Sequence, residues 1–288
     1  MSLNSFNKVI SQLKNSETMP VLFVGHGNPM NAITQNEFTD GWRLTGEALP
    51  KPSAIICISA HWETNGTFVT AMEEPKTIHD FYGFPPALFD VQYPAPGSPQ
   101  LATEMKDTIT KTLVELDHKW GLDHGCWSVV KKMFPSADIP VIELSLDYTK
   151  PSQWHYELAG ELSFLRRKGA LIIGSGNMVH NLRLLNWQGT GGFEWAIEAN
   201  EKIKNLISNN EHQQLIHYNS LGKDIQLAVP TPEHFLPLLY VLGLKDDKDS
   251  FTTRLSVPVR PNTYCRAGSF LSFLEYTSGF HLYSNQSI

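Results

Sequence analysis

The stretch Val21-Leu22-Phe23-Val24-Gly25-His26-Gly27-Asn28-Pro29 opens as a short apolar run and breaks into a glycine turn that carries a histidine. A run without polar alternation fits a strand buried on both faces, because a strand with one wet face alternates. The pattern recurs at Ala54-Ile55-Ile56-Cys57-Ile58-Ser59, at Val141-Ile142-Glu143-Leu144-Ser145-Leu146 and at Ala170-Leu171-Ile172-Ile173-Gly174. Each run is rich in β-branched residues and leads into a turn or polar loop. Gly268 to Leu274 reads as a last strand. Between these runs the apolar spacing is helical. Leu101, Met105, Ile109, Leu113 and Leu116 predict a helix over 101–116, and Leu158, Leu162 and Leu165 predict one over 154–168 that ends at Gly169. Segments 193–207 and 235–242 supply two more. Strands alternating with helices imply parallel pairing through right-handed crossovers. The expected fold is α/β: a mostly parallel central sheet flanked by helices on both faces, in a single domain over residues 20–288, preceded by a helical N-terminal segment at 1–19.

The bulk properties agree with one soluble domain. The chain has 288 residues, 41% of them hydrophobic, enough for a sizeable core, and no repeat or composition shift marks a linker. The net charge of −6, with basic residues scattered apart from Arg166-Arg167-Lys168, argues against a nucleic-acid partner. Pro, Gly, His or charge interrupts every apolar run before it reaches membrane-spanning length. The polar start lacks the apolar core of a secretory signal, so the expected location is cytoplasmic. Cys57, Cys126 and Cys265 stand alone and form neither a disulfide framework nor a thiolate metal site.

In a parallel α/β sheet, ligands bind beyond the carboxyl ends of the strands. His26 follows the first strand directly, His61 follows the second within Ser59-Ala60-His61-Trp62-Glu63, and His180 follows the fourth within Gly174-Ser175-Gly176-Asn177-Met178-Val179-His180-Asn181. A single histidine at a turn is more often hydrogen-bonded structure than a ligand, but two at the ends of separate strands suit a metal. A third ligand is offered by Pro230-Thr231-Pro232-Glu233-His234, where Thr231 can cap a helix with Pro232 in first position. With Glu233 the set is the two-histidine, one-carboxylate triad of Fe(II) oxygenases; with His234 it is three histidines, which suits Zn(II) as well. His180 need not ligate, because an imidazole of ordinary pKa exchanges protons near neutrality. Gly174-Ser-Gly resembles a phosphate loop, but Val179 occupies the position where the fingerprint needs glycine. His124, in Leu122-Asp123-His124-Gly125, could polarise a substrate oxygen with Asp123 to orient it, or could serve only a self-bonded turn. The aromatic stretch from Thr77 through His79-Asp80-Phe81-Tyr82-Gly83-Phe84 to Pro85 could line a pocket for a planar ring. His118, His155, His212, His217 and His281 have no such context and are expected at solvated positions.

Taken in order, Gly-His-Gly-Asn-Pro, Ser-Ala-His-Trp, Asp-Phe-Tyr-Gly-Phe-Pro, Leu-Asp-His-Gly, Gly-Ser-Gly-Asn-Met-Val-His-Asn and Pro-Glu-His-Phe resemble the class III extradiol ring-cleavage dioxygenases, on the 4,5-DOPA dioxygenase branch. The resemblance runs from about residue 20 to about residue 275. It implies an α/β fold, one divalent metal ion held by His26, His61 and His234, and His180 as the acid/base. The ion would be Fe(II) for ring cleavage, with Zn(II) as an alternative occupant, and the substrates a catechol and dioxygen. Two other functions fit the same residues: a zinc hydrolase or amidase, since three histidines and an open position also activate water, and a non-enzymatic binding protein like the Memo family, which resembles this fold.

Overall fold

A computed structural model describes residues 18–184, 193–247, 249–257 and 271–278. The helix expected over 1–19 therefore lies almost wholly outside the described residues, as do Cys265, Gly268 and His281. In chain order the elements begin β1 (Val21–Gly25), α1 (Glu37–Ala48), β2 (Ala54–Ser59), β3 (Glu63–Thr64), β4 (Thr67–Thr70), α2 (Pro86–Phe89), α3 (Pro99–Thr108) and β5 (Val114–Asp117). They continue α4 (His124–Met133), β6 (Val141–Glu143), β7 (Leu146–Asp147), α5 (Ser152–Glu161), α6 (Ser163–Arg167) and β8 (Ala170–Gly176). The last are α7 (Glu194–Ser208), α8 (His212–Ile216), α9 (Lys223–Ala228), α10 (Leu236–Gly243), β9 (Asp249–Val257) and β10 (Leu271–Ser278).

The main sheet runs β6-β2-β8-β1-β10-β9. β6, β2, β8 and β1 pair in parallel, whereas β10 is antiparallel to both β1 and β9. β8 thus lies between β2 and β1, and the ends of these three strands open side by side. Alternating side chains along each strand enter different cores. Phe23, Ile56, Ile58 and Ile172 join one cluster with Leu158, Ile203 and Leu238 from α5, α7 and α10. Leu22, Ile55, Cys57 and Ile173 join the other with Trp42 of α1 and Trp127 and Val130 of α4. Each such aliphatic side chain contributes about 1.5–3 kcal/mol by leaving water, so the uninterrupted apolar strands are anchored on both faces.

Several local expectations are corrected. The helix over 101–116 stops at Thr108; Ile109 is already extended at ψ 123°, and residues 114–117 form β5, parallel to β4. The run Thr108-Ile109-Thr110 is β-branched and stiff against the preceding turn, and the Glu161 carboxylate takes the amides of Thr110 and Lys111. The helix over 154–168 divides at Leu162, and the strand over 141–146 divides into β6 and β7, with β7 pairing with β3. Thr231 caps no helix: Pro232 to Phe235 form a turn closed by the Phe235 and Leu236 amides on the Pro232 carbonyl, and α10 begins at Leu236. His155 and His212 are buried, not solvated, and their Nδ1 atoms bond the hydroxyls of Tyr240 and Tyr156 at 3.1 and 3.0 Å. Arg166 is also buried, gripping Asp249 through both terminal nitrogens and the Met19 carbonyl through Nε. Among the described residues no helix is long and apolar enough to cross a membrane.

Candidate metal centre

The ladder between β1 and β8 continues one residue past β1, where the His26 amide donates to the Gly176 carbonyl at 3.2 Å, and Gly27 then turns the chain at φ 62°. That left-handed angle strains any side chain, so the second glycine of the His26 motif serves the turn. The His26 ring, buried at the strand end, donates from Nδ1 to Ser175 Oγ at 3.0 Å. Ser175 spends its own proton on the Gly125 carbonyl at 2.6 Å and can only accept from the ring. Nε2 therefore carries the lone pair, and Asn177 Nδ2 lies 3.3 Å from it.

His61 arrives from the end of β2 and sets its Nε2 3.2 Å from that of His26, although the two residues belong to different strands. Its Nδ1 faces Asp80 Oδ2 at 3.5 Å. His234 arrives from the turn before α10, with Nδ1 on Glu233 Oε1 at 3.1 Å. The ring centres of His26, His61 and His234 are separated by 4.9, 5.4 and 5.0 Å. The Nδ1 atoms of His26 and His234 are hydrogen-bonded and that of His61 faces the Asp80 carboxylate, so the Nε2 side of each ring is available to a cation, as when a carboxylate or hydroxyl behind a histidine prepares a ligand. Two buried lone pairs 3.2 Å apart repel without a cation or proton between them, so this donor set fits a metal ion. Among the described residues, nitrogen and carboxylate donors within 4.8 Å of one another form two groups, His26 with His61 and His124, and His180 with Glu233 and His234. The sequence-derived trio takes members from both.

His180 stacks on His234 with ring centres 3.4 Å apart and planes 12° apart. Burial, joined by the neighbouring imidazoles, holds His26 and His61 well below the ordinary histidine pKa. Burial lowers His234 too, against the pull of Glu233. His180 is pushed down to about 3 by burial and by His234, with Glu233 opposing. The resting His180 ring is thus neutral at pH 7, its basicity held under the ordinary value near 6.5. Neutral imidazoles are also the form that binds metal. Burial resists ionisation of Glu233, but hydrogen bonds from His234, the backbone and Thr231 outweigh it and bring the carboxyl down to about 2.

Asp80, not Asp123, orients His124. Asp80 accepts the His124 amide at Oδ1 and the ring Nδ1–H at Oδ2, both at 2.8 Å. Burial opposes its charge, but those bonds from His124 keep its carboxyl below the usual range. Asp123 instead caps α4 by accepting the Cys126 amide at 3.1 Å, so the Asp-His-Gly segment opens a helix and is not a free turn. The His124 ring lies 3.9 Å from that of His61 and 5.6 Å, edge-on, from Phe81. Phe84, Phe89 and Trp127 back Phe81, so the aromatic stretch builds an apolar wall beside the histidines, while Tyr82 at its tip is 92% exposed.

The glycines of Gly174-Ser175-Gly176 belong to β8 and do not form a phosphate loop. A side chain at Gly176 would meet the His234 carbonyl oxygen at 2.2 Å, and one at Gly174 the Pro237 carbonyl oxygen at 2.4 Å. These glycines let the His234 turn and α10 sit directly on the strand, and the Asn177 amide fixes His234 by donating to its carbonyl at 2.8 Å. As partners of the site histidines, Asp80, Ser175 and Asn177 were missed by sequence reasoning, although all three stand inside motifs it singled out.

Residues 20–261 match the family model described as the catalytic LigB subunit of aromatic ring-opening dioxygenase. The chain is 48% identical to a 4,5-DOPA dioxygenase extradiol of Escherichia coli K12, with 83% of this chain and 90% of the relative covered. A protein of the same description from Beta vulgaris is 37% identical, with 77% and 85% covered. The crystal structure of an uncharacterized Escherichia coli K12 protein superposes with a TM-score of 0.76 at 39% identity, covering 89% of this chain and 99% of that one. With strand-end histidines prepared for a metal and homology across most of its length, the chain belongs to the LigB family of aromatic ring-opening dioxygenases.

Proposed function

We propose that this enzyme opens the ring of a DOPA-like catechol with dioxygen, using one divalent metal ion held by His26, His61 and His234. The observation that carries the reading is the meeting of the His26 and His61 Nε2 atoms at 3.2 Å, with His234 completing the triangle. These residues would hold a redox-active ion such as Fe(II), which would supply the electronic link between catechol and dioxygen that Zn(II), lacking an accessible redox state, would not. The chain supplies the rest. His180, neutral and stacked on His234, accepts a catechol hydroxyl proton and returns it as the ring opens beside the diol. Ionised Glu233, hydrogen-bonded to His234 Nδ1, lends its charge to His180 while that proton is held. His124, its Nδ1–H fixed on Asp80, offers Nε2 to the second hydroxyl, and Phe81 packs the ring and excludes water. Both oxygen atoms of dioxygen enter the product, a ring-opened semialdehyde. Two buried free thiols, Cys57 and Cys126, fit the reducing interior of a cell and so a cytoplasmic setting.

Loading the protein with Fe(II) without oxygen and then adding DOPA and air tests the proposal. The expected result is stoichiometric oxygen uptake and a yellow product. No uptake in a fully iron-loaded sample would refute it and return the metal centre to hydrolytic chemistry. His180→Ala should still bind metal but lose about 10²–10⁴-fold in kcat.

A further inference from the structure

Behind the histidines lies a pair of carboxyls that the proposed chemistry does not use. Asp123 and Glu143 are both 0% exposed. Asp123 takes the Ser59 hydroxyl at 2.7 Å and the Cys126 amide at 3.1 Å on Oδ1, and its own amide donates to Glu143 Oε1 at 2.8 Å. No lysine or arginine side chain is among the described donors to either. Among the described residues the remaining oxygens, Asp123 Oδ2 and Glu143 Oε2, are buried without a hydrogen-bond partner, and the bond from the Asp123 amide holds the Glu143 carboxyl against Asp123. Two carboxylates so placed cannot both stay charged, whereas one proton between them satisfies both orphan oxygens. Burial pushes both acids up, Glu143 the further, with repulsion from Asp123 and Cys57 adding to it; Asp80 raises Asp123, while Ser59 and His124 restrain it.

We infer that Asp123 and Glu143 share one proton carried by Glu143, and that the pair is a positioning device for the metal centre. Its reach is visible in the bonds. Ser59, held by Asp123, receives the His61 amide at 3.2 Å, and the same Asp123 oxygen caps the helix that begins at His124. Gly125 packs so closely that a side chain there would meet Ser59 Oγ at 2.5 Å and His61 Cδ2 at 2.9 Å. The pair thereby locks the end of β2 to the start of α4. Its link to the reaction rests on the proposed metal centre; its protonation does not.

Infrared spectroscopy of the metal-free protein at pH 7 tests the proton directly. A protonated-carboxyl band that shifts on labelling with carboxyl-¹³C glutamate and vanishes in Glu143→Gln is expected; absence of the band overturns the inference. Co(II) titration followed by visible absorption tests the positioning. Glu143→Gln, which keeps the donor, should bind Co(II) within twofold of the parent, and Glu143→Leu, which removes it, at least tenfold more weakly. Equal affinity in the two variants, or a tenfold loss in the glutamine variant, overturns the inference. Should the leucine variant fold too poorly to titrate, the band and the glutamine variant decide alone. Failure of the parent to bind Co(II) would count against the metal centre and leave the infrared result standing.

Discussion

Replacing Gly176 by alanine should damage the metal centre without touching a ligand side chain. The added methyl would lie 2.2 Å from the His234 carbonyl oxygen, against a floor of 3.0 Å for real contacts, and 3.2 Å from Pro237 Cγ. Because β8 pairs on both sides in the middle of the sheet, the His234 turn must give way, by about 1 Å, and the Asn177 amide loses its 2.8 Å bond to the same carbonyl. Overpacking of this kind costs about 1–3 kcal/mol of stability. A 1 Å misplacement around a reacting centre costs on the order of 10²-fold in rate. Calorimetric titration with Co(II) or Zn(II) should show affinity at least tenfold weaker, and oxygen uptake by the Fe(II) form a kcat/KM lower by on the order of 10². Gly160→Ala is the control: that glycine lies inside α5 with nothing within 4 Å of the added carbon, so the change should gain about 0.5–1 kcal/mol and leave turnover alone. A Gly176→Ala protein that binds metal and turns over like the parent would refute the close-approach argument.

Asp80→Asn retains shape but loses the charge that fixes His124 and faces His61, so kcat/KM should fall about 10–100-fold while far-ultraviolet circular dichroism is unchanged; parental kinetics would remove Asp80 from the site. Ser175→Ala strips the acceptor from His26 Nδ1, and a metal affinity about tenfold weaker is expected from the freed tautomer; an unchanged dissociation constant would contradict it. His155, bonded to Tyr240, is lowered to about 4 by burial, with Asp147 opposing. Its folded value lies below the unfolded one near 6.5, so the unfolded chain binds the extra proton. Its contribution is complete above pH 6.5 and is lost as pH falls toward 4, by at most about 3 kcal/mol. His155→Gln should flatten the decline of Tm over that window, and a parallel decline in both proteins would refute the assignment.

The parallel core could be read from β1, β2 and β8 because strands buried on both faces need apolar residues at every position, and that requirement is local. The placement of His26, His61 and His180 beyond strand ends followed from the same runs, since the side chain after such a strand points where ligands enter. His234 was legible only through its motif. Its turn was misread as a capped helix because Thr231-Pro232 has cap chemistry, and the chain instead bends to lay His234 over Gly176. The helix drawn through Leu113 and Leu116 failed because four-residue apolar spacing does not reveal where a β-branched run hands over to a strand. β9 and the antiparallel seat of β10 were also hidden, as pairing partners are chosen across the sheet and not along the chain. What tertiary structure alone decided is which acceptor stands behind each imidazole. Ser175 and Glu233 bond the Nδ1 atoms of His26 and His234, and Asp80 that of His124, so the Nε2 atoms turned toward one another, the feature that fits a metal ion, are set by those contacts.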